Sequence, residues 1–397
     1  MRVLVGWDDA EQSDLISLYL GVEATEIVVT ADPEKLISEA RRSAAWDVIL
    51  ITTNLPNLES SFLLFERLRQ VRPQIPVVCA CESQDVFRMA KFMSAGMRMY
   101  VLRDAGADFI FLLQATLETV VAAVHSEREQ KIAERLREEV DSVRKLQESI
   151  TPRDIALPAG YQIVARYEPS QMRVLGGQPI VMAGGDYYDI FRLDDSHIVL
   201  LVGDASGHGM KACMSIMTMH TLARMIRNRE FEDPATFVVE INRHLCEQSI
   251  VSNEGGFITM LYAVLNTDRH ELRWCSAGHP VPLLQDMTNN EIHPLAEDDA
   301  GGLPLAITPD AEYETHTSTV PAHSRLLLYT DGLAEAFPEG TDVHAEFGLN
   351  GILGTLRRLA HKPMGDVFQA LFDDSNAFTQ GSGRHDDTSV VLLEHSN

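Results

Sequence analysis

Six aspartates in the C-terminal half of the chain stand where carboxylates could share a ligand. Asp186 and Asp189 lie in A-G-G-D-Y-Y-D-I-F and Asp204 in V-G-D-A-S-G-H-G. Asp331 lies in L-L-L-Y-T-D-G, and Asp386 and Asp387 in G-R-H-D-D-T-S-V-V-L-L. Each has an ordinary explanation alone, since Asp-Gly pairs make turns and strand-end acids are often caps. Together they form a pattern that turns do not explain. Asp204 and Asp331 follow strongly apolar runs, and Asp386 precedes one. Antiparallel strands would bring such ends to one sheet edge. Carboxylates gathered there repel one another unless cations lie between them, and all-oxygen donor sets suit Mg2+ or Mn2+. The glycines before Asp186 let the backbone approach a ligand closely. His208 sits between glycines and reads either as a proton relay or as a turn residue.

The elements that must position these acids are legible from periodicity. Ile198–Val202 reads as a buried strand ending in the Gly203-Asp204 turn. A helix is expected over Lys211–Arg227, with Ile216, Met219, Ala223 and Ile226 packed on a sheet. Two paired strands are expected around a turn at Thr267–His270. Upstream, apolar runs at Arg2–Val5, Glu26–Val29, Asp47–Thr52, Pro76–Ala80 and Arg98–Leu102 alternate with helix-like segments such as Asp32–Ser43 and Leu58–Gln70. That alternation predicts a parallel α/β sheet over residues 1–114. Between the halves, Ile132, Leu136, Glu139, Val143, Leu146 and Ile150 recur at spacings of four and three. This predicts a coiled-coil connector over 115–152, the other reading being a helix packed on its own domain. Thr151-Pro152 ends it, and residues 153–397 form the third segment.

Composition narrows the classes. With 33 basic and 58 acidic residues the formal net charge is -25, which argues against a phosphate-backbone binder, so no nucleic-acid partner is expected. No apolar run reaches the length that spans a bilayer, so no membrane partner is expected. The N-terminus is too acidic for a signal peptide. Five cysteines without framework spacing suit a reducing, cytoplasmic setting.

Residues 1–114 resemble a response-regulator receiver domain, of flavodoxin-like α/β fold. Asp8 and Asp9 fall where that family keeps acidic magnesium ligands. The phosphoacceptor position falls on Thr52, whose hydroxyl cannot form an acyl phosphate, and the family's lysine falls on Arg103. The stretch is therefore read as a pseudo-receiver with no phosphoacceptor. Asp8 and Asp9 read as solvated loop acids, with a residual divalent-ion site as the other reading. The connector's end, L-Q-E-S-I-T-P, is similar to the connector before one phosphatase family's catalytic domain.

Residues 160–397 resemble the PP2C-type metal-dependent serine/threonine phosphatases of the bacterial stress-response and sporulation subgroup. The motifs are G-G-D-Y-Y-D, V-G-D-A-S-G-H-G, S-A-G-H-P-V-P-L-L, L-L-L-Y-T-D-G-L-A-E-A and H-D-D-T-S-V-V-L-L. The resemblance implies an α+β fold, a β-sandwich of two antiparallel sheets flanked by helices. It implies two divalent cations, Mn2+ or Mg2+, held by Asp186, Asp204, the Ala205 carbonyl, Asp331 and Asp386. Asp387 is the alternate for the last position, Asp189 is secondary, and Asp186 and Asp204 are the catalytic pair. The implied substrate is a phosphoserine or phosphothreonine of a regulatory protein of the anti-sigma-factor antagonist type. A homodimer through the helical connector and control by the pseudo-receiver complete the expectation. The competing readings are a non-catalytic signalling scaffold and a nucleotide cyclase, because G-G-D-Y-Y-D superficially looks like G-G-D-E-F.

Overall fold

The computed structural model describes residues 1–21, 26–42, 46–104, 108–152, 157–172, 180–181, 183–226, 233–248, 251, 255–297, 300–338 and 346–396. Ser43 and Arg227, the last residues of two expected helices, lie outside that set. The chain divides into two units, Met1–Leu136 and Arg137–Asn397.

In the first unit five strands form one parallel sheet: β1 (Arg2–Gly6), β2 (Glu26–Thr30), β3 (Val48–Thr52), β4 (Val77–Glu82) and β5 (Met99–Arg103). Helices α1 (Ala10–Leu20), α2 (Pro33–Arg41), α3 (Ser61–Val71) and α4 (Met89–Ser94) connect them. The order β2-β1-β3-β4-β5 is that of flavodoxin-like doubly wound sheets, which bind ligands at the carboxyl ends of their strands. The central strand β3 is buried at every position. Its alternate residues serve two cores, Val48 and Leu50 on one face and Ile49 and Ile51 on the other. A sheet covered on both faces demands such an unbroken apolar run.

The helix α5 (Phe109–Ile150) runs unbroken for 42 residues. It starts before the expected connector, and its early turns have another task. Phe109, Ile110, Leu113, Leu117 and Val120 are buried in the first unit's core. This also revises the expectation that no segment is apolar enough for a bilayer. By length and composition alone this helix is, although a third of its most apolar window is buried inside the protein. Further along, the helix turns polar. Ile132 and Leu136 of the heptad stripe are each 61% exposed, while Ile150 packs against the second unit's core.

The second unit is a sandwich. Its strands are β6 (Tyr161–Glu168), the short pair β7 (Gln171–Met172) and β8 (Ile180–Val181), β9 (Asp186–Arg192), β10 (His197–Ala205), β11 (Ile258–Asn266), β12 (Glu271–Ala277), β13 (Leu283–Asp286), β14 (Glu291–Pro294), β15 (Gly301–Gly302), β16 (His316–Thr319), β17 (Ser324–Tyr329) and β18 (Thr388–His395). Its helices are α6 (Met210–Ile226), α7 (Pro234–Cys246), α8 (Gly348–Arg358) and α9 (Met364–Phe378). One sheet runs β15-β12-β11-β10-β9, with β16 also on β12; the other runs β14-β13-β17-β18-β6. Their inner faces share a core in which Tyr188, Leu200, Val202 and Trp274 meet Leu326, Leu328, Val391 and Leu393. Outside, α6 and α7 cover the first sheet, and α8 and α9 cover the second. The expected face of α6, Ile216, Met219, Ala223 and Ile226, is buried.

Side-chain alternation decides what the strand ends present. On β10, Ile198, Leu200 and Val202 point between the sheets while Val199 and Leu201 point at α6. Asp204, in step with Val202, therefore faces the gap between the sheets. The strand also runs further than its apolar stretch suggests. Asp204 is a ladder residue paired with Asp186 on one side and Thr259 on the other, and not a turn residue. A Cβ on Gly203 would lie 2.9 Å from Met219 Cε on α6 and 3.1 Å from the Thr259 carbonyl oxygen, so glycine here lets helix and neighbouring strand pack close.

Candidate metal centre

Cross-strand pairing places Asp186 and Asp204 side by side at one end of the first sheet. Asp331 opens the 3-10 turn after β17, and Asp386 and Asp387 precede β18, at neighbouring ends of the second sheet. Two interactions join the sheets at this end. Thr330 Oγ1 donates to Asp186 Oδ2 at 2.6 Å and accepts from the Ser389 N–H at 2.8 Å. Asp387 accepts from the Gly185 N–H at 2.7 Å through Oδ2 and from the Ser170 N–H at 2.7 Å through Oδ1. The G-G-D turn is thus held against the start of the last strand. A Cβ on Gly184 would lie 2.1 Å from Asp387 Oδ2, so only glycine fits.

The electrostatics follow from this crowding. Burial, then the charges of Asp204 and Asp387, push the Asp186 carboxyl well above the usual carboxylate range. Burial, then Asp331 and Asp386, push Asp204 up to about 8. Asp331 is raised by burial and by Asp386. Asp387 is raised too, burial outweighing its two N–H bonds. The buried Arg384 guanidinium, which feels Asp186, offsets only part of this negative charge, and a divalent cation is the further counter-charge that oxygen donors accept. The backbone adds a donor: a Cβ on Gly185 would meet the Ala205 carbonyl oxygen at 2.6 Å and Asp204 Oδ1 at 3.0 Å. The missing side chain leaves both oxygens open beside the turn. Among the described residues no three His, Cys, Asp or Glu side chains are already arranged to hold an ion. The acids are gathered by the sheet ends without being closed around one point. The donor chemistry fits hard cations.

The expected residues divide accordingly. Asp186, Asp204, Asp331 and Asp386 come together with the Ala205 carbonyl. Asp387 comes with them, but each of its oxygens already holds a backbone N–H, whereas among the described residues Asp386 accepts from the Asp387 N–H alone. Asp189 does not join them. It sits on the α6 side of β9 and pairs with Arg224 at 2.7 Å, because three residues along a strand reverse the face. His208 is exposed in the turn before α6. Thr330 was missed by sequence reasoning; its only signal was its place just before Asp331.

In the first unit Thr52 is fully buried at the carboxyl end of β3. Arg103 donates to Thr52 Oγ1 at 2.9 Å and to Asp8 at 2.5 Å, with its guanidinium over the Trp7 ring at 5.6 Å. Asp8 is therefore ion-paired, not a solvated loop acid. Burial opposes its charge, but Arg103 outweighs burial and holds the carboxyl below its ordinary range. Asp9 caps α1 by accepting from the Gln12 N–H at 2.8 Å. An internal cation thus occupies Asp8, and a helix cap occupies Asp9.

Comparison with known proteins agrees with this geometry. The chain is 27% identical over 220 residues to the phosphoserine phosphatase RsbU of Bacillus subtilis (strain 168), covering 54% of this chain and 60% of that protein. It is 27% identical over 154 residues to the phosphoserine phosphatase RsbP of the same organism, covering 38% of this chain and 36% of that one. The chain thus spans less than two thirds of either relative. The SiaA-PP2C domain of Pseudomonas aeruginosa superposes with a TM-score of 0.54 at 17% identity, over 66% of this chain and 98% of that domain, so the fold is shared. The family model "Stage II sporulation protein E (SpoIIE)" matches residues 194–396, which takes in three of the four acidic stations. The chain belongs to the SpoIIE family.

Proposed function

We propose that the second unit is a protein serine/threonine phosphatase that uses two divalent cations, Mn2+ or Mg2+. The observation that carries this reading is the pair of bridges, Thr330 to Asp186 and Asp387 to Gly185, which gather acids from two sheets at one end. Asp186, Asp204, the Ala205 carbonyl, Asp331 and Asp386 would hold the ions. Bound there, the ions would supply charge neutralisation for a phosphoryl group and lower the pKa of water. The protein's own part is positional. Thr330 fixes one oxygen of Asp186 and leaves the other for a ligand. The Asp186–Asp204 pairing on adjacent strands sets their spacing. The cysteines take no part, since burial pushes the Cys213 thiol up to about 11, where little thiolate exists to attack.

The substrate is a phosphoserine, as the names of the phosphoserine phosphatases RsbU and RsbP suggest; the motif resemblance extends this to phosphothreonine and to a regulatory protein of the anti-sigma-factor antagonist type. The first unit acts as a pseudo-receiver, with Arg103 paired to Asp8 and Thr52. A homodimer forms through the exposed stripe of α5, and binding events at the first unit adjust α6 through that helix. The test is hydrolysis of p-nitrophenyl phosphate and a phosphoserine peptide with and without Mn2+. Mn2+-dependent turnover that Asp204→Asn abolishes is expected. A folded chain that binds Mn2+ yet turns over neither compound would leave a non-catalytic scaffold instead.

A further inference from the structure

The last turns of α5 bury a polar residue beside the stripe, next to the exposed Leu146. Gln147 is 2% exposed, and every polar atom of its amide is used on the metal turn or beside it. Its Nε2 donates to the carbonyls of Gly184 and Asp186, each at 3.1 Å. Its Oε1 accepts from the Gly184 N–H at 3.1 Å and from Cys213 Sγ, on the first turns of α6, at 3.4 Å. A buried amide engaged at both ends is a high-stakes group. A carboxylate could not donate, a lysine could not accept, and an apolar side chain would strand two carbonyls and an N–H. Helix propensity gives no reason for it, because Leu or Met would serve α5 equally well.

Asp387 holds Gly185 from one side. Gln147 holds the residues on either side of it, Gly184 and Asp186. Four backbone hydrogen bonds from two distant side chains thus define the path of a three-residue turn that carries a metal candidate and lies against the Ala205 carbonyl. We propose that Gln147 is a positioning residue for the metal centre: it clamps the backbone of the Gly184–Asp186 turn so that Asp186 and the Ala205 carbonyl stand ready for a cation. This rests on the metal reading above. Gln147 touches no ligand itself; it acts through Asp186.

The test uses the full chain with Gln147→Met and Gln147→Glu, both good helix formers of similar length. Mn2+ binding is measured by isothermal titration calorimetry, and thermal unfolding is measured in chelator. Mn2+ affinity is expected to fall roughly 10–100-fold in both variants, the usual effect of removing a group that orients a ligand. Unfolding in chelator should also shift downward, since the stranded backbone groups cost stability, so the Mn2+ isotherm of the folded variant is the readout that separates positioning from packing. Variants that unfold earlier in chelator but keep the wild-type Mn2+ isotherm would show a merely structural role and overturn the proposal. If one variant fails to fold, the other carries the comparison. Wild-type protein that binds no Mn2+ would overturn the metal reading itself, and this proposal with it, whereas loss confined to the variants supports both.

Discussion

Thr330→Val tests whether the two sheets must be joined for the acids to act together. Valine keeps the shape of threonine and removes only the hydroxyl. That hydroxyl makes a 2.6 Å bond to Asp186 Oδ2 and accepts the Ser389 N–H at 2.8 Å, all fully buried. Losing the bond to Asp186 costs about 0.5–1.5 kcal/mol, and stranding the Ser389 donor costs about 1–3 kcal/mol. The sum is roughly 1.5–4.5 kcal/mol, read by urea unfolding in chelator with far-UV circular dichroism. The ladder bond from the Thr330 N–H to the Ser389 carbonyl survives, so the strands stay paired. Asp186 loses the group that orients it, and the Mn2+ concentration for half-maximal turnover should rise roughly 10–100-fold. Thr330→Ser, which keeps the hydroxyl, should stay close to wild type in Mn2+ response. Unchanged Mn2+ dependence in Thr330→Val, together with a stability loss under about 0.5 kcal/mol, would refute the reasoning.

Three further outcomes are expected. Asp204 has a folded-state carboxyl raised to about 8, so the folded chain keeps a proton that the unfolded chain releases. Stability in chelator should therefore fall as pH rises from about 4 to about 8. Asp204→Asn should flatten that slope, and a flat wild-type profile would contradict it. Acetyl phosphate with Mg2+ should leave the mass of the chain unchanged, because Thr52 offers no carboxylate and Arg103 occupies Asp8; a phosphoryl gain mapped to the first unit would count against the pseudo-receiver. Sedimentation should find a dimer that becomes a monomer in Ile132→Glu/Leu136→Glu, both positions being largely exposed on α5; a wild-type monomer at micromolar concentration would rule out the seam.

Much of the architecture could be read from the chain because it rests on local pattern. The five strands of the first unit and the strands that carry Asp204, Asp331 and the final pair are short runs rich in apolar residues. Reading such runs as strands needs no knowledge of partners. Asp204, Asp331 and the Asp386-Asp387 pair were visible for the same reason, each standing next to such a run, while Asp186 was marked by the two glycines before it. The length of α5 was less legible. Its early turns pack on the first sheet and its later turns are polar, so no single period covers all of it.

What the tertiary structure alone decided is how each polar group is satisfied. Thr330 and Asp186 are 144 residues apart, and Asp387 and Gly185 are 202 apart. Asp8 reads as a solvated acid until Arg103, 95 residues on, reaches it. Asp189 reads as a partner of Asp186 until the strand's alternation turns it toward Arg224. A residue type announces that it carries a charge or a donor. Which neighbour relieves it is a property of distance in space, and a chain encodes that distance only by folding.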